Sequence, residues 1–227
     1  MPGVKHVILL LLLVAPVTAG ETIQLFDGHS LDGWVDKNGK PVAKGWRVED
    51  GELVCPGHVG SIYTAEEYGD FELAFRWKIP PRGNSGVKYR VRFYEQGVYG
   101  HPGWLGCEYQ MIDGVALKQT PQQSTGGIYG LYAPITPRKL NPPGEYNESR
   151  IIVRGDHSEH WLNGQKTVDA DRGSSEWRER IGASKFGPVK DVFQSDRGRI
   201  ELQDHGTRAV FASITLRPLD KGGAESN

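Results

Sequence analysis

Two short segments of the sequence place polar side chains that could exchange protons or bind hydroxyl groups at alternate positions. Glu108 and Gln110 are separated by one residue, and the same spacing joins Glu201, Gln203 and His205. Side chains at i and i+2 lie on the same face of a β-strand. A carboxylate and an imidazole can transfer protons, and amides hydrogen-bond hydroxyl groups. Such strands could form a site together, although a solvated strand face is the simpler explanation of each segment taken alone.

Two glycine-rich segments carry groups suited to a hydroxylated ligand. Residues 82–86 hold Asn84 between two glycines, and Asn in such a loop serves a turn as well as a hydrogen bond to a ligand. Residues 125–134 hold Tyr129 and Tyr132, whose flat rings could stack on a sugar ring or equally well pack in the core.

Composition and missing motifs exclude several classes of function. The formal net charge is −1, so bulk charge gives no reason to expect a nucleic-acid partner. The sequence lacks a Gly-x-Ser-x-Gly elbow, a phosphate-binding loop, a His-Glu-x-x-His pair and a Cys/His cluster. Two cysteines, Cys55 and Cys107, are too few for a disulfide scaffold, and we expect free thiols because Cys107 falls in a strand-like run.

The elements that must position these residues are predicted to be β-strands. Apolar residues occupy every second position of residues 71–79, which predicts a strand whose buried face carries Phe71, Leu73, Phe75, Trp77 and Ile79. Asp50-Gly51 and Asn163-Gly164 predict tight hairpins, and residues 174–180 one or two helical turns. Further strands are predicted at 46–49, 52–55, 86–93, 106–112, 151–154, 160–162, 165–168, 199–203 and 210–217. Because strands without intervening helices pair antiparallel, we predict an all-β, antiparallel two-sheet sandwich.

The N-terminal residues predict export. Lys5 and His6 precede an apolar run at residues 7–14, and small residues follow up to Ala19. This pattern is typical of a secretory signal peptide over residues 1–19, and the run is shorter than the roughly 20 apolar residues that span a bilayer. We therefore expect a periplasmic or secreted protein with one domain over 20–220, a disordered tail over 221–227 and no membrane span.

Nine segments, taken in order, resemble the 3-keto-disaccharide hydrolase domain family. They include Leu25-Phe26-Asp27-Gly28, Trp46-x-Val48-Glu49-Asp50-Gly51, Gly83-Asn84-Ser85-Gly86, Glu108-Tyr109-Gln110, Thr125-Gly126-Gly127, His160-Trp161-Leu162-Asn163-Gly164 and Leu202-Gln203-Asp204-His205-Gly206. The resemblance extends from about residue 24 to residue 219. It implies a concanavalin-like jelly roll with a ligand cleft on one sheet, and action on glycosides that a separate sugar 3-dehydrogenase has oxidised at C3.

The resemblance also implies roles for the candidate residues. A ketone at C3 acidifies the C2 hydrogen, so that a base can start an elimination of the group at C1, and water can then add to the product. The resemblance implies His205 as the base or the acid, with Glu108 as its counterpart. The residues implied in substrate binding are Asn84, Arg90, Gln110, Asp113, Tyr129 and Gln203.

Two points stay open at the level of sequence. If a divalent metal takes part, Glu108, Asp113 and His205 could supply ligands. A non-catalytic carbohydrate-binding sandwich is the competing interpretation, in which Trp104, Tyr129 and Trp161 are the stacking platforms; an interaction domain is a third.

Overall fold

The computed structural model describes residues 20–220, so the predicted signal peptide at 1–19 and the predicted tail at 221–227 lie outside the described residues. The structure is built almost entirely of β-strands with one α-helix, α1 (Ser175–Gly182). The strands are β1 (Ile23–Phe26), β2 (Trp34–Val35), β3 (Arg47–Glu49), β4 (Glu52–Cys55), β5 (Ile62–Thr64), β6 (Phe71–Lys78), β7 (Asn84–Tyr94), β8 (Gly103–Ile112), β9 (Asn147–Arg154), β10 (His157–Leu162), β11 (Gln165–Asp171), β12 (Arg199–Leu202) and β13 (Ala209–Pro218).

These strands form two antiparallel sheets. The larger has eight strands in the order β11-β10-β9-β6-β13-β4-β3, with β1 paired to β13. The smaller has five strands in the order β2-β5-β12-β7-β8. The predicted two-sheet jelly-roll sandwich is therefore confirmed.

The core lies between the sheets, and β6 shows how the sequence builds it. The five alternating apolar residues predicted to be buried, from Phe71 to Ile79, are between 0% and 6% exposed. Phe75 meets Tyr109 of the facing sheet edge-to-face, with ring centroids 5.4 Å apart. Edge-to-face pairs of this kind stabilise a core beyond the area they bury. The period-two pattern therefore sets which face of β6 is inside.

The two predicted hairpins form as the turn chemistry requires. Asp50 and Gly51 have φ values of 50° and 78°, and Asn163 and Gly164 have 45° and 78°. Two consecutive residues with positive φ are the requirement of a type I′ turn, which Asp-Gly and Asn-Gly satisfy most readily. The predicted helical turns are α1. Cys55 and Cys107 are free thiols, as expected, and both are buried.

One face of the five-stranded sheet packs on the core, and the other carries polar groups. A bulge interrupts β7 at Arg90, whose φ is 52°, and the register with β8 shifts between Tyr89 and Arg92. Tyr89 belongs to the main core, whereas Val91 belongs to a separate small cluster on the outer face. The bulge therefore reverses, within two residues, which side chains of β7 face the core.

None of the helices among residues 20–220 has the length and apolar character needed to cross a bilayer.

Candidate active site

Three charged side chains lie side by side across the outer face of the five-stranded sheet. Glu201 on β12 is opposite Lys88 on β7, and Lys88 is opposite Glu108 on β8. Directly opposed residues of neighbouring strands project from the same face. Lys88 Nζ lies 2.9 Å from Glu201 Oε1, and the side chains are only 15% and 3% exposed. We call Lys88, Glu108 and Glu201 the charged row.

Glu108 is placed so that its carboxyl titrates near neutrality. Its pKa is raised to about 7, chiefly by burial; Lys88 opposes the rise, Glu201 adds to it and Lys185 opposes it. Burial disfavours the Lys88 cation, but Glu201 and Glu108 attract it, and the pKa of Lys88 is raised overall. Lys88 is therefore an ammonium at neutral pH, and Glu108 can either accept or donate a proton.

A glycine allows Glu108 and Gln203 to approach each other over β7. Gly86 lies opposite Gln110, and its carbonyl accepts a hydrogen bond from the backbone N–H of Gln203. A Cβ at Gly86 would lie 3.0 Å from Glu108 Cγ and 3.1 Å from Gln203 Oε1. The Nε2 of Gln203 reaches to 3.5 Å from Glu108 Oε2. The structure therefore brings together Glu108 and Gln203, two of the residues identified from sequence.

Buried acceptor atoms beside this contact are left without hydrogen-bond partners among the described residues. They are the Oε2 of Glu201 and the Oε1 of Gln203. A buried acceptor without a partner costs free energy, so such atoms are uncommon and are found where a ligand or water completes the bonding. The Oε1 of Gln203 lies 3.1 Å from the position of a Cβ at Gly86, so a polar ligand over Gly86 would meet this acceptor.

Gln110, Tyr129 and Asn84 surround this region at different depths. Gln110 is 1% exposed, and its side-chain oxygen accepts from the N–H of Met111. Tyr129 donates its backbone N–H to the carbonyl of Glu108, and Lys185 Nζ lies 4.7 Å from the centre of its ring. Asn84 begins β7, where its backbone is held by Thr207. The Oδ1 of Asn84 is a third buried acceptor without a partner in the described part of the chain.

Arg90 and Asp113 have their contacts elsewhere, and each has a structural reason. Arg90 is turned to the core side by the bulge, where it donates to the Gly155 carbonyl at 2.6 Å and lies 3.5 Å from Asp70. Asp113 accepts from the N–H groups of Arg82, Val115 and Ala116, which lower the pKa of its carboxyl. Asp113 also lines a cavity of about 320 Å³ that includes Ile79, Ile112 and Arg138. Their proposed roles in substrate binding stay predictions.

His205 is exposed on an anchored loop. Strand β12 ends at Leu202, so the alternation that would align His205 with Gln203 stops before it. The preceding Asp204 accepts from the N–H groups of His58, Val59, Gly60 and Gly206, which holds the loop in place. His205 is thus an exposed imidazole two residues from Gln203.

Sequence reasoning assigned no role to Lys88, the centre of the charged row. The alternation of β7 puts Lys88 on the same face as Gly86. That Lys88 lies next to Glu108 and Glu201 on this face depends on the register of three strands. Lys185 was also missed. It follows α1, far from Glu108 in the chain, and only the folded structure brings it near enough to lower the pKa of Glu108. Neither contact leaves a local sequence signal.

The residues named as metal ligands do not form a ligand set. The carboxylate of Asp113 is already used by three backbone N–H groups, and Glu108 lies beside the Lys88 ammonium. Among the described residues, His157, Glu159 and Asp169 do have ligand atoms within 4.8 Å of one another. The Lys166 ammonium lies between those two carboxylates, at 2.7 and 2.8 Å. A protein cation therefore already lies between the two carboxylates of that cluster.

The three proposed stacking platforms do not lie on one surface. Trp104 is on the five-stranded sheet and Tyr129 on the segment beside β8, whereas Trp161 is on β10 of the eight-stranded sheet. The Arg150 guanidinium covers the Trp161 ring at 4.7 Å. The fold therefore separates Trp161 from the charged row.

The chain is similar to a family model, to a named relative and to solved structures. A family model described as a 3-keto-alpha-glucoside-1,2-lyase-like domain matches residues 21–217. A Bacteroides thetaiotaomicron protein named 3-keto-disaccharide hydrolase is 26% identical over 238 residues, covering 92% of this chain and 82% of that protein. The crystal structure of a candidate glycosyl hydrolase from Parabacteroides distasonis is 34% identical, with a TM-score of 0.77 over 88% of this chain and 94% of that chain. A second from the same organism is 24% identical, with a TM-score of 0.66 over 88% of this chain and 100% of that one.

Proposed function

Because the chain belongs to the family of 3-keto-alpha-glucoside-1,2-lyase-like domains, we propose that it is an enzyme that cleaves glycosides carrying a ketone at C3. The observation that carries this proposal is the position of Glu108 beside the Lys88 ammonium. The pKa of Glu108 is raised to about 7. A base that titrates near neutrality and a fixed cation are what removal of a proton next to a ketone requires.

The chemistry follows from the acidity of the C2 hydrogen. A base takes the C2 proton, and the C–H electron pair passes into an enolate on the C3 oxygen. The enolate electrons then form the C1=C2 double bond, while the C1–O bond breaks and its oxygen takes a proton from an acid. Addition of water across the double bond, with hydroxyl at C1 and hydrogen at C2, completes a net hydrolysis.

The charged row supplies the groups for the first step. Glu108 is the base, and Gln203 orients it through the Nε2–Oε2 contact. Lys88 donates to the enolate oxygen, and Glu201 holds the ammonium in place at 2.9 Å. His205, exposed on its anchored loop, is the acid for the leaving group. Gln110, Tyr129 and Asn84 contact the sugar.

The proposal includes a place of action and a supplier. The N-terminal residues of the chain follow the pattern of a secretory signal peptide, so the proposed enzyme is exported. A separate sugar 3-dehydrogenase would supply the ketone, since this chain carries no dinucleotide-binding glycine motif.

The test is a comparison of two substrates that differ only at C3. Purified protein is incubated with a 3-keto-disaccharide and with the same disaccharide unoxidised, and free sugar is measured by chromatography. The ketone is expected to be cleaved at least about 100-fold faster, because C2 is not acidic without it. Equal cleavage of both would indicate a conventional two-carboxylate hydrolysis instead.

A further inference from the structure

Three aromatic rings lie together beside the charged row. Trp104 lies 5.3 Å from Tyr63 and 5.5 Å from Phe93, measured between ring centroids. Tyr63 is directly opposite Glu201 in the pairing of β5 with β12. The rings therefore continue the surface that carries Glu201, Lys88 and Glu108. We call Tyr63, Phe93 and Trp104 the aromatic wall.

The aromatic wall is held from behind by the fold. Val35, Tyr63 and Val91 form a small buried cluster, and Trp104 packs against it. Val91 reaches this face only because of the bulge at Arg90. Phe93 remains 48% exposed although its ring packs edge-to-face on Trp104. A rigid base with an exposed ring on top is the arrangement of a preformed binding surface.

The two sides of the charged row differ in chemistry. On one side the side chains of Gln203 and Gln110 flank Gly86, and amides of this kind hydrogen-bond sugar hydroxyls. On the other side are the three rings, with the Arg199 guanidinium 5.4 Å from the Trp104 ring centre. A ring can stack on a sugar as well as on a flat apolar group, but a sugar also needs convergent polar groups, and the side chains placed against Trp104 are two rings and one guanidinium. This lining favours a flat aromatic group.

We propose that the aromatic wall binds the leaving group of the substrate and selects 3-keto-glycosides with an aromatic aglycone. This inference rests on the proposed function, because it assigns the amide side of the row to the oxidised sugar and the aromatic side to the group at C1. Glu108 and Lys88 then lie between the two halves of the substrate, where the C2 proton is removed.

The experiment compares phenyl and methyl 3-keto-glucosides of one anomeric configuration. The ratio of their kcat/KM values is measured in the unaltered protein and in Trp104→Leu, so that the better phenolic leaving group cancels between proteins. The ratio is expected to fall about fivefold to tenfold, the size of one lost aromatic stacking contact. Phe93→Ser, at a half-exposed position, is expected to lower the ratio in the same direction, and it replaces Trp104→Leu if that variant does not fold.

Trp161→Leu is the matched control, because it removes a tryptophan from the outer face of the other sheet. Its ratio is expected to stay within twofold of that of the unaltered protein. An unchanged ratio in both Trp104→Leu and Phe93→Ser would overturn the aromatic wall while leaving the proposed function intact. If neither glycoside is cleaved, the proposed function fails. Calorimetric measurement of phenyl glucoside binding then tests, by itself, whether the aromatic wall binds an aromatic group. Binding that depends on Trp104 but not on Trp161 supports it, and any other result overturns it.

Discussion

Lys88 Nζ lies 2.9 Å from Glu201 Oε1 in a nearly buried ion pair, and the second oxygen of Glu201 has no partner among the described residues. The ammonium is therefore the main compensation for a buried carboxylate. Such a pair contributes little net stability, but the loss of one partner is costly because it leaves the other charge buried and unpaired.

A double-mutant cycle tests this coupling. Lys88→Met and Glu201→Gln are each expected to lower the free energy of unfolding by about 3 kcal/mol, and the double variant by clearly less than their sum. Urea unfolding at pH 7 measures all four proteins. The exposed pair Arg92–Glu67, with side chains 45% and 36% exposed, is the control and should change stability by less than about 1 kcal/mol. Additive losses at Lys88 and Glu201 would show that the pair is not coupled.

The titration of Glu108 is expected to move in opposite directions in the same two variants. Lys88→Met removes a cation that lowers the pKa of Glu108, so the pKa should rise above about 7. Glu201→Gln removes an anion that raises it, so the pKa should fall. Carbon-13 NMR of glutamate-labelled protein follows the carboxyl resonance, with Glu108→Gln for assignment. Shifts in the same direction would mean that altered burial outweighs the neighbouring charges.

Much of the fold could be predicted from sequence, because its determinants are local. Alternation fixed the buried face of β6, and Asp50-Gly51 and Asn163-Gly164 fixed two turns. The ordered motifs also identified the family, which the match over residues 21–217 confirms. Each of these features is set by residues that are neighbours in the chain.

The candidate site could be predicted only in part, because its contacts depend on register. Glu108 and Gln203 were recognised by their spacing, and they do meet over Gly86. Lys88 was given no role, because its alignment with Glu108 and Glu201 arises from the pairing of β7 with two strands distant in sequence. Arg90 was expected to bind substrate, but a bulge that no sequence motif indicates turns its side chain to Gly155.

Gly86→Ala is expected to impair catalysis without unfolding the protein. The new Cβ would lie about 3 Å from the side chains of Glu108 and Gln203, so both must move apart. Displacement of a catalytic group by about 1 Å lowers rates by about 100-fold, and we expect a loss of kcat/KM of about that size. Gly103→Ala is the matched control on the neighbouring strand, since nothing lies within 4 Å of a Cβ there. Equal activity of both variants would exclude a close contact over Gly86.

Glu108→Gln is expected to remove activity and, above neutral pH, to increase stability. Burial raises the pKa of Glu108 from 4.5 to about 7, so the folded state holds a proton that the unfolded state releases between these values. Its cost to stability is therefore absent below about pH 4.5, grows as the pH rises and is complete above pH 7. The variant should be more stable than the unaltered protein by about 2 kcal/mol at pH 8, less than the full shift because Glu108 is partly exposed, and equally stable at pH 4. Urea unfolding at both pH values measures the difference, and a constant difference would show that Glu108 is not perturbed.

His205→Gln separates an enzyme from a carbohydrate-binding module. Gln keeps a hydrogen-bonding side chain but cannot titrate near neutrality, whereas His can. If His205 protonates the leaving group, the variant should bind unoxidised disaccharide as well as the unaltered protein does, and lose about 10² to 10⁴ in turnover of the 3-keto-disaccharide.

Deuterated water provides a second readout on the same variant. Glu108 should still remove the C2 proton, so deuterium should enter C2 of recovered 3-keto-disaccharide even when His205→Gln slows departure of the leaving group. Glu108→Gln should abolish this exchange. A binding module would show altered affinity in His205→Gln, with no turnover and no exchange in any of the proteins. Full turnover in His205→Gln would assign the leaving-group proton to another donor, and exchange that persists in Glu108→Gln would assign the base to another residue.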